Sequence, residues 1–166
     1  MKNILYLFLT LTSYAISAQT TAEAYLNSAV SKFYLDDMKG AIVDYTKAII
    51  IDPSYVEAYR KRGLAKEELK DFSGAIVDYT KAIEIDPNYA FALHDRGITK
   101  GKLKDFSGAL ADYSRAIKID PNYATAYFNR GVSKFYLGDM IGACKDARKA
   151  QELGDDASIL IKKACN

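Results

Sequence analysis

The residues best able to do chemistry are few, and their spacing does not support a catalytic or metal site. His94 is the single histidine, and Cys144 and Cys165 are the two cysteines. One imidazole and two thiols are too few for a multi-histidine metal site or a four-thiolate zinc site. No Gly-x-Ser-x-Gly segment or suitably placed cysteine accompanies His94, so we expect it at the surface or lining a groove. We therefore predict a protein that is not an enzyme and needs no cofactor or metal.

Two pairs of neighbouring carboxylates, Asp36-Asp37 and Asp155-Asp156, are the other groups that could hold an ion. A calcium loop needs oxygen ligands at alternating positions, and neither pair belongs to such a series. We expect both pairs to cap helices. The charge balance, 23 Lys and Arg against 21 Asp and Glu, gives no reason to expect binding to nucleic acid, which needs a concentrated basic surface.

The first eighteen residues have the pattern of a secretory signal peptide. Lys2 supplies a positive charge, a mostly apolar run follows over residues 4–16, and small residues lead up to Ala18. The run is shorter than the roughly 20 residues that a membrane-spanning helix needs. We expect cleavage after Ala18, or else after Ser17, and export to the periplasm or the medium of a Gram-negative bacterium. An uncleaved anchor is the alternative, and we expect no stable membrane span after cleavage.

We predict that the exported protein begins at Gln19, because the apolar run ends in small residues at that point. Intact-mass measurement of protein recovered from the cell envelope or medium checks the position. A mass that still includes residues 1–18 would contradict the prediction.

The two cysteines have a spacing that matches no zinc or redox motif. In an exported chain an isolated pair indicates one disulfide, so we predict a bond between Cys144 and Cys165. Closing that loop would contribute roughly 3 kcal/mol to stability in the chain-entropy account. Two buried free thiols are the alternative.

A repeat with one constant period organises the remainder of the chain. Prolines, glycines, alanines, aspartates and lysines all recur at the same step and in phase, which is the signature of a repeat architecture. The predicted repeats cover about 22–55, 56–89, 90–123 and 124–157 within a domain of residues 19–166. The columns are Pro53, Pro87 and Pro121; Gly40, Gly74, Gly108 and Gly142; Ala41, Ala75, Ala109 and Ala143; Ala48, Ala82, Ala116 and Ala150; Asp44, Asp78, Asp112 and Asp146; and Lys32, Lys66, Lys100 and Lys134.

Each repeat has the periodicity of two helices. In the second repeat, apolar and small residues at helical spacing predict helices over 56–69 and 72–85. Asp71 is a suitable N-cap for the latter helix. Asp86 and Pro87 then predict the N-cap and first turn of the next repeat.

This pattern resembles the tetratricopeptide repeat, over about residues 22–154. The resemblance implies an all-α fold, a right-handed α-solenoid of four helix–turn–helix repeats with the first helices on the concave face, followed by a capping helix over about 157–165. It also implies binding of proteins or peptides rather than catalysis. The second repeat carries the resemblance in Tyr59, Gly63, Phe72, Ala75, Tyr79, Ala82 and Pro87.

An arginine column departs from the commonest form of that family. Arg62, Arg96 and Arg130 each follow an aspartate of the preceding repeat at one constant spacing, whereas the first repeat, which has no predecessor, has Ser28 instead. This correlation predicts a ladder of pairs between repeats, such as Asp78 with Arg96. A pair within each repeat, or solvated charges, are the alternatives.

The concave groove is the expected binding site. Its end repeats are apolar, and Arg60 and His94 near the middle would favour a carboxylate on the ligand. Leu26 and Val30 stand where some chaperone-binding relatives use Lys and Asn, so we do not expect that activity. The alternative is that these apolar groups only pack between repeats. The predicted groove residues are Leu26, Val30, Phe33, Arg60, Leu64, Glu67, His94, Ile98, Gly101, Phe128, Val132 and Phe135.

These observations predict an exported, non-enzymatic scaffold that binds a segment of a protein or peptide partner, and they leave the identity of that partner open. The alternative function is a structural or assembly subunit of a cell-envelope complex that acts through its convex surface.

Overall fold

A computed structural model of the protein describes residues 21–165, and the predicted signal peptide lies outside them. Helices joined by short turns make up this part of the chain, with no strand in it, which confirms the all-α class. No helix among residues 21–165 is long and apolar enough to cross a membrane. The helices are α1 (21–34), α2 (Met38–Ile51), α3 (Val56–Glu68), α4 (Phe72–Ile85), α5 (Ala90–Lys102), α6 (Phe106–Ile119), α7 (Ala124–Tyr136), α8 (Met140–Glu152) and α9 (Ser158–Ala164).

The described part of the chain divides into two compact units, with the boundary between Asp71 and Phe72. In the first unit, side chains of α1 bond to α2, and α2 packs against α3. In the second unit, every helix from α4 to α9 packs against the next one along the chain. There α5 also contacts α7, and α7 contacts α9, so first helices of successive repeats are neighbours.

The second helices bury a stripe of small and aromatic residues. In α6, Ala109, Tyr113 and Ala116 lie at helical spacing and are all buried, as are their counterparts in α2. Alanine lets neighbouring helices approach closely, and a larger side chain would overpack the contact by about 1–3 kcal/mol. The alanine columns of the sequence are therefore packing positions.

One turn motif joins the two helices of a repeat. After α5, Lys104 adopts a left-handed conformation with φ of 64°, and Asp105 then caps α6 by accepting a hydrogen bond of 2.9 Å from the Gly108 backbone N–H. A Cβ atom at Gly108 would overlap the Asp105 carboxylate, so the cap in this geometry requires a glycine at that position. The same cap joins Asp37 to Gly40 and Asp139 to Gly142.

The expectation that both acidic pairs cap helices holds only for Asp37, because the N-cap of α9 is Ala157. Asp37 caps α2, whereas Asp36 is the left-handed residue before it. Asp156 accepts a hydrogen bond of 3.1 Å from the Ser158 backbone N–H at the start of α9.

The prediction for Asp86 and Pro87 was wrong. The N-cap of α5 is Tyr89, and the Asp86 carboxylate instead accepts a hydrogen bond of 2.9 Å from the Asn88 backbone N–H. This local turn keeps the residues from Asp86 to Asn88 out of both helices, so Pro87 lies in the turn rather than in α5.

The predicted ladder between repeats was also wrong in its ion pairs. Arg96 of α5 donates to both carboxylate oxygens of Asp112, which belongs to the same repeat, at 2.9 and 2.6 Å. Its remaining guanidinium nitrogen donates to the Thr80 hydroxyl of the preceding repeat at 3.0 Å. The hairpin places Arg96 and Asp112 opposite each other, so the charge pair forms inside the repeat and only a neutral hydroxyl is bonded across the junction.

The other repeats follow this arrangement where the structure describes it. Arg130 donates to Asp146 at 2.8 and 2.7 Å and to Ser114 at 3.5 Å, and Arg62 donates to the Thr46 hydroxyl at 3.1 Å. The first repeat has Ser28 in place of arginine. Its hydroxyl donates to Asp44 at 2.7 Å.

The lysine column completes the neutralisation of these buried aspartates. Lys32 bonds to Asp44, Lys100 to Asp112 and Lys134 to Asp146. Hydrogen bonding by Lys32 is the largest influence on Asp44, and it holds the pKa of that carboxyl at about 2 in spite of the opposing effect of burial.

The helix α9 covers the end of the second unit. Ala157, Leu160 and Ala164 join the buried alanines of α8 in one apolar cluster, against which Phe128, Val132 and Phe135 of α7 also pack. The structure brings Cys144 of α8 and Cys165 together as predicted, with Cα atoms 5.0 Å apart and sulfur atoms at the bonding distance of 2.12 Å.

We predict strong coupling between Arg96 and Asp112. Arg96→Leu would leave Lys100 as the remaining cation bonded to the buried Asp112 carboxylate, and the loss of the two arginine bonds would lower the free energy of unfolding by about 3 kcal/mol. A double-mutant cycle with Asp112→Asn, followed by denaturant unfolding, measures the coupling. The matched cycle with Asp78→Asn should show much weaker coupling, and the reverse order would mean that the charge pair spans the repeat junction.

We also predict that Asp44 makes the protein sensitive to acid. Its pKa is lowered from 3.8 to about 2 in the folded state, so the ionised carboxylate contributes stability above about pH 4 that is lost as the pH falls toward 2. In Asp44→Asn, thermal unfolding should depend less on pH in this window. The exposed Glu68→Gln is the control, and an equal change in both variants would contradict the prediction.

Candidate functional site

A cavity of about 430 Å³ opens between the first helices of the second unit. The predicted groove residues Ile98, Gly101 and Val132 all line it, so the structure brings these three together as the sequence suggested. The second helix α6 supplies Phe106 and Tyr113 to the same cavity. The other lining residues are Lys102, Lys104, Asn129, Ser133 and Tyr136.

Aromatic packing fixes the walls of this cavity. Phe106 and Tyr136 stack with ring centroids 4.5 Å apart and an interplanar angle of 9°. Tyr136 nevertheless remains 63% exposed, which leaves most of its surface open to a ligand. Gly97 makes room for Tyr113, because a Cβ atom at Gly97 would lie only 2.7 Å from that ring.

The polar groups that line the cavity include an amide, of Asn129, and two lysines. The Asn129 amide nitrogen lies 3.0 Å from Nε2 of His94, which fixes the orientation of the amide. Lys102 and Lys104 give the cavity a positive charge, and the Lys102 ammonium group lies 6.0 Å from the centre of the Phe72 ring. The site can therefore offer an apolar surface, an amide and positive charge within one cavity.

The structure places His94 differently from the expected surface or groove position. It is buried, 7% exposed, with its ring centroid 4.8 Å from that of Tyr123 and 5.6 Å from that of Tyr113. Its Nδ1 atom lies 3.6 Å from the Asp95 carboxylate. His94 thus supports Asn129 from behind rather than facing a ligand.

The first unit has a smaller cavity, of about 80 Å³, on its own first helices. The predicted residues Val30, Phe33 and Leu64 line it, together with Tyr34, Tyr45 and Lys61. Burial raises the pKa of Tyr45 to about 12, so its hydroxyl remains protonated. This cavity is large enough for one or two small groups only.

The remaining predicted groove residues lie elsewhere. Leu26 is buried at 6% exposure and forms part of the core, while Arg60 and Glu67 are half-buried. Phe128 and Phe135 are half-buried and pack against the cluster under α9. Truncating either phenylalanine would therefore loosen the core as well as the surface.

Asn129 and Tyr136 are absent from the predicted groove, although a usable signal for them was present. Each lies one position beyond a predicted groove residue, Phe128 or Phe135. The exposed stripe of an amphipathic helix is wide enough to include such neighbours. Phe106 had no comparable signal, because it belongs to a second helix and is brought to the site by the packing of α6.

A third cavity, of about 650 Å³, lies between α7 and α8 and includes Cys144. Charged side chains dominate its lining, and two of its ion pairs are internal, Arg130 with Asp146 and Lys149 with Glu152. Among residues 21–165, no group of three or more His, Cys, Asp or Glu side chains could hold a metal ion.

Comparison with known proteins agrees with the repeat architecture. Two family models described as tetratricopeptide repeat match residues 22–55 and 56–89, and one described as TPR repeat matches 102–138. Together these matches cover well over half of the chain. No curated protein matches this chain.

Solved structures of two other proteins, MamA and RPAP3, have a similar fold. The crystal structure of MamA protein is 25% identical with a TM-score of 0.80, over 87% of this chain and 80% of that chain. The first TPR of Spaghetti (RPAP3), bound to the HSP90 peptide SRMEEVD, is 25% identical with a TM-score of 0.70, over 72% of this chain and 95% of that chain. MamA 41-end from Desulfovibrio magneticus RS-1 is 20% identical with a TM-score of 0.75, over 81% and 76%, and shows the fold alone.

Proposed function

Because this chain belongs to the tetratricopeptide repeat family, we propose that it is a non-enzymatic scaffold that holds a segment of a partner protein in the cavity between α5 and α7. The observation that carries the proposal is the exposed ring of Tyr136 at the wall of a cavity that also offers an amide and two lysines. Binding sites for protein segments combine an aromatic anchor with a few polar groups in this way.

The chemistry of the cavity favours an apolar side chain flanked by an acidic one. The apolar group would contact Ile98, Val132 and the ring of Tyr136. Lys102 and Lys104 would attract a neighbouring carboxylate, and such charges set the orientation of a ligand more than its affinity. Asn129, held by His94, would bond to the backbone of the segment.

One structural neighbour, the first TPR of RPAP3, has the peptide SRMEEVD bound, but we do not transfer that acidic ligand to this chain. In the first repeat, Leu26 and Val30 stand where Lys and Asn would be needed. Leu26 is also buried, which removes it from contact with any ligand. In our proposal the positive charge comes from the third repeat instead.

Export is part of the same proposal. The signal-peptide pattern of residues 1–18 supports it, and so does the pairing of Cys144 with Cys165, because disulfides persist in oxidising compartments. The partner would then be another protein of the periplasm, the envelope or the medium.

A second candidate function is assembly through the surface of the second helices. Ile141 on α8 favours it, since this large apolar side chain is 87% exposed. Val43 and Val77 are also exposed on second helices, beside Lys47 and Lys81. Scattered apolar groups of this kind are common on protein surfaces, and they form no cavity comparable to the one between α5 and α7.

We predict that Tyr136→Ala weakens partner binding by about tenfold or more, as expected when an aromatic anchor is removed. A photo-crosslinking amino acid at position 136 would first identify the partner in envelope extracts, and titration of the purified pair would then give the affinity. Ile141→Ala is the matched control, because both side chains are exposed and both variants should unfold within a few degrees of the wild type. Loss of binding in Ile141→Ala alone would favour assembly through the second helices instead.

A further inference from the structure

The disulfide occupies a repeated position in the architecture. Counted back by one repeat, Cys165 corresponds to Gly131 and Cys144 corresponds to Leu110. In the same phase, Ser158 at the start of α9 corresponds to Ala124 at the start of α7. Helix α9 therefore stands where the first helix of a further repeat would stand, and the disulfide joins it to the preceding second helix.

Apart from the disulfide, few contacts hold helix α9 against the rest of the protein. It has seven residues, and isolated helices shorter than about 12–15 residues are marginal in water. Leu160 is its one large buried side chain, and it lies beside Gly131. A Cβ atom at position 131 would be 3.1 Å from this leucine. Ile161 packs against the same cluster but is only partly buried, and the other buried residue of α9 is Ala164, which buries little area.

Apolar surface lies beneath this helix. Phe128, Val132 and Phe135 of α7 pack against the cluster that Leu160 completes. If α9 left, the α7–α8 face would lose its cover. Val132 also lines the cavity between α5 and α7, so the covered face and the proposed binding site adjoin.

The disulfide can be reached from solvent. Both cysteines are only partly buried, and Cys144 forms part of the wall of the open 650 Å³ cavity between α7 and α8. Four cationic and two acidic side chains line that cavity, which gives it a net positive charge. They are Arg130, Lys145, Arg148 and Lys149 against Asp146 and Glu152.

We propose that the Cys144–Cys165 disulfide is a redox modification site, at which a dithiol reductant releases α9 and uncovers the apolar face of α7 and α8. An attacking thiolate is an anion, so the cationic cavity would draw it to the Cys144 sulfur, and a nearby positive charge also stabilises a thiolate. This proposal is independent of the proposed function, because it concerns the cover of the repeat stack rather than its partner.

The exchange is balanced in two steps. One thiolate of the reductant forms a bond to the Cys144 sulfur, the bond to Cys165 breaks, and the Cys165 thiolate takes a proton from water. The second thiolate of the reductant then attacks its own sulfur in the mixed disulfide, which frees the Cys144 thiolate. Two electrons pass to the protein as the dithiol becomes a disulfide.

Hydrogen exchange on the full exported chain tests the release. After reduction with dithiothreitol, amide protection in α9 should fall by about tenfold or more and protection near 128–135 should fall with it, while α4 and α5 stay protected. The Cys144→Ala/Cys165→Ala variant should show the same pattern without reductant and should not respond to it. Unchanged protection in α9, global loss of protection, or labelling of two free thiols before reduction would each overturn the proposal.

Reduction kinetics test the sulfur that is attacked. With mercaptoethanesulfonate, whose thiolate form carries two negative charges, Lys145→Gln/Arg148→Gln should react about threefold or more slowly at low ionic strength, whereas 2-mercaptoethanol, whose thiolate carries one, should be slowed less. Lys163→Gln is the matched control, since this exposed lysine lies on α9 near Cys165. Slowing in the Lys163 variant alone would place the attack at Cys165 and overturn the assignment to Cys144.

Discussion

Burying a carboxylate inside a helical hairpin is the constraint from which the local architecture follows. Asp112 is almost fully buried, and a buried charge is costly unless it is paired and hydrogen-bonded. The first helix of the same repeat supplies Arg96 and Lys100, which together hydrogen-bond to both carboxylate oxygens. The hairpin is therefore fixed in register by its own charges, because a slip of one residue would strand Asp112.

The arrangement also determines how repeats are joined. The guanidinium group has one nitrogen left for the preceding repeat, and that nitrogen bonds to the hydroxyl of Thr80. Alanines supply the remaining contact, as in the buried stripe of α6. In the third and fourth repeats the arginine and aspartate are thus paired within the repeat, and each arginine makes only a neutral bond to the preceding repeat. The exposed faces of the first helices take no part in these contacts. The cavity with Tyr136 lies on those faces.

Much of the fold could be predicted from sequence, because the repeat phase and the helical periodicity are local signals. They predicted α4 without error and α3 to within one residue, and they located α9. The partner of Arg96 could not be fixed this way, because Asp78 precedes it and Asp112 follows it at similar distances along the chain, and only the hairpin geometry selects between them. Helical periodicity also placed half of the predicted groove residues on first helices where they line one of the two cavities, and their role in binding stays a prediction. The burial of His94 could not be predicted in this way. It results from contacts with aromatic rings and an amide of other parts of the chain, which come together only when the repeats pack.

The spacing of the arginine bridge has a consequence for the length of the chain. Arg62, Arg96 and Arg130 each donate to a hydroxyl group that lies 16 residues earlier in the chain. Arg96 and Arg130 also donate to a carboxylate that lies 16 residues later. Deleting residues 90–123 as a block would place Arg130 at the same sequence separation from Thr80 that Arg96 has now. The separation between Arg130 and Asp146 would not change. Every bond of the bridge would be re-formed by an equivalent pair. The hydrogen bonds between repeats therefore do not fix the number of repeats. Whole repeats can be added or removed, and the same contacts form at the new boundary.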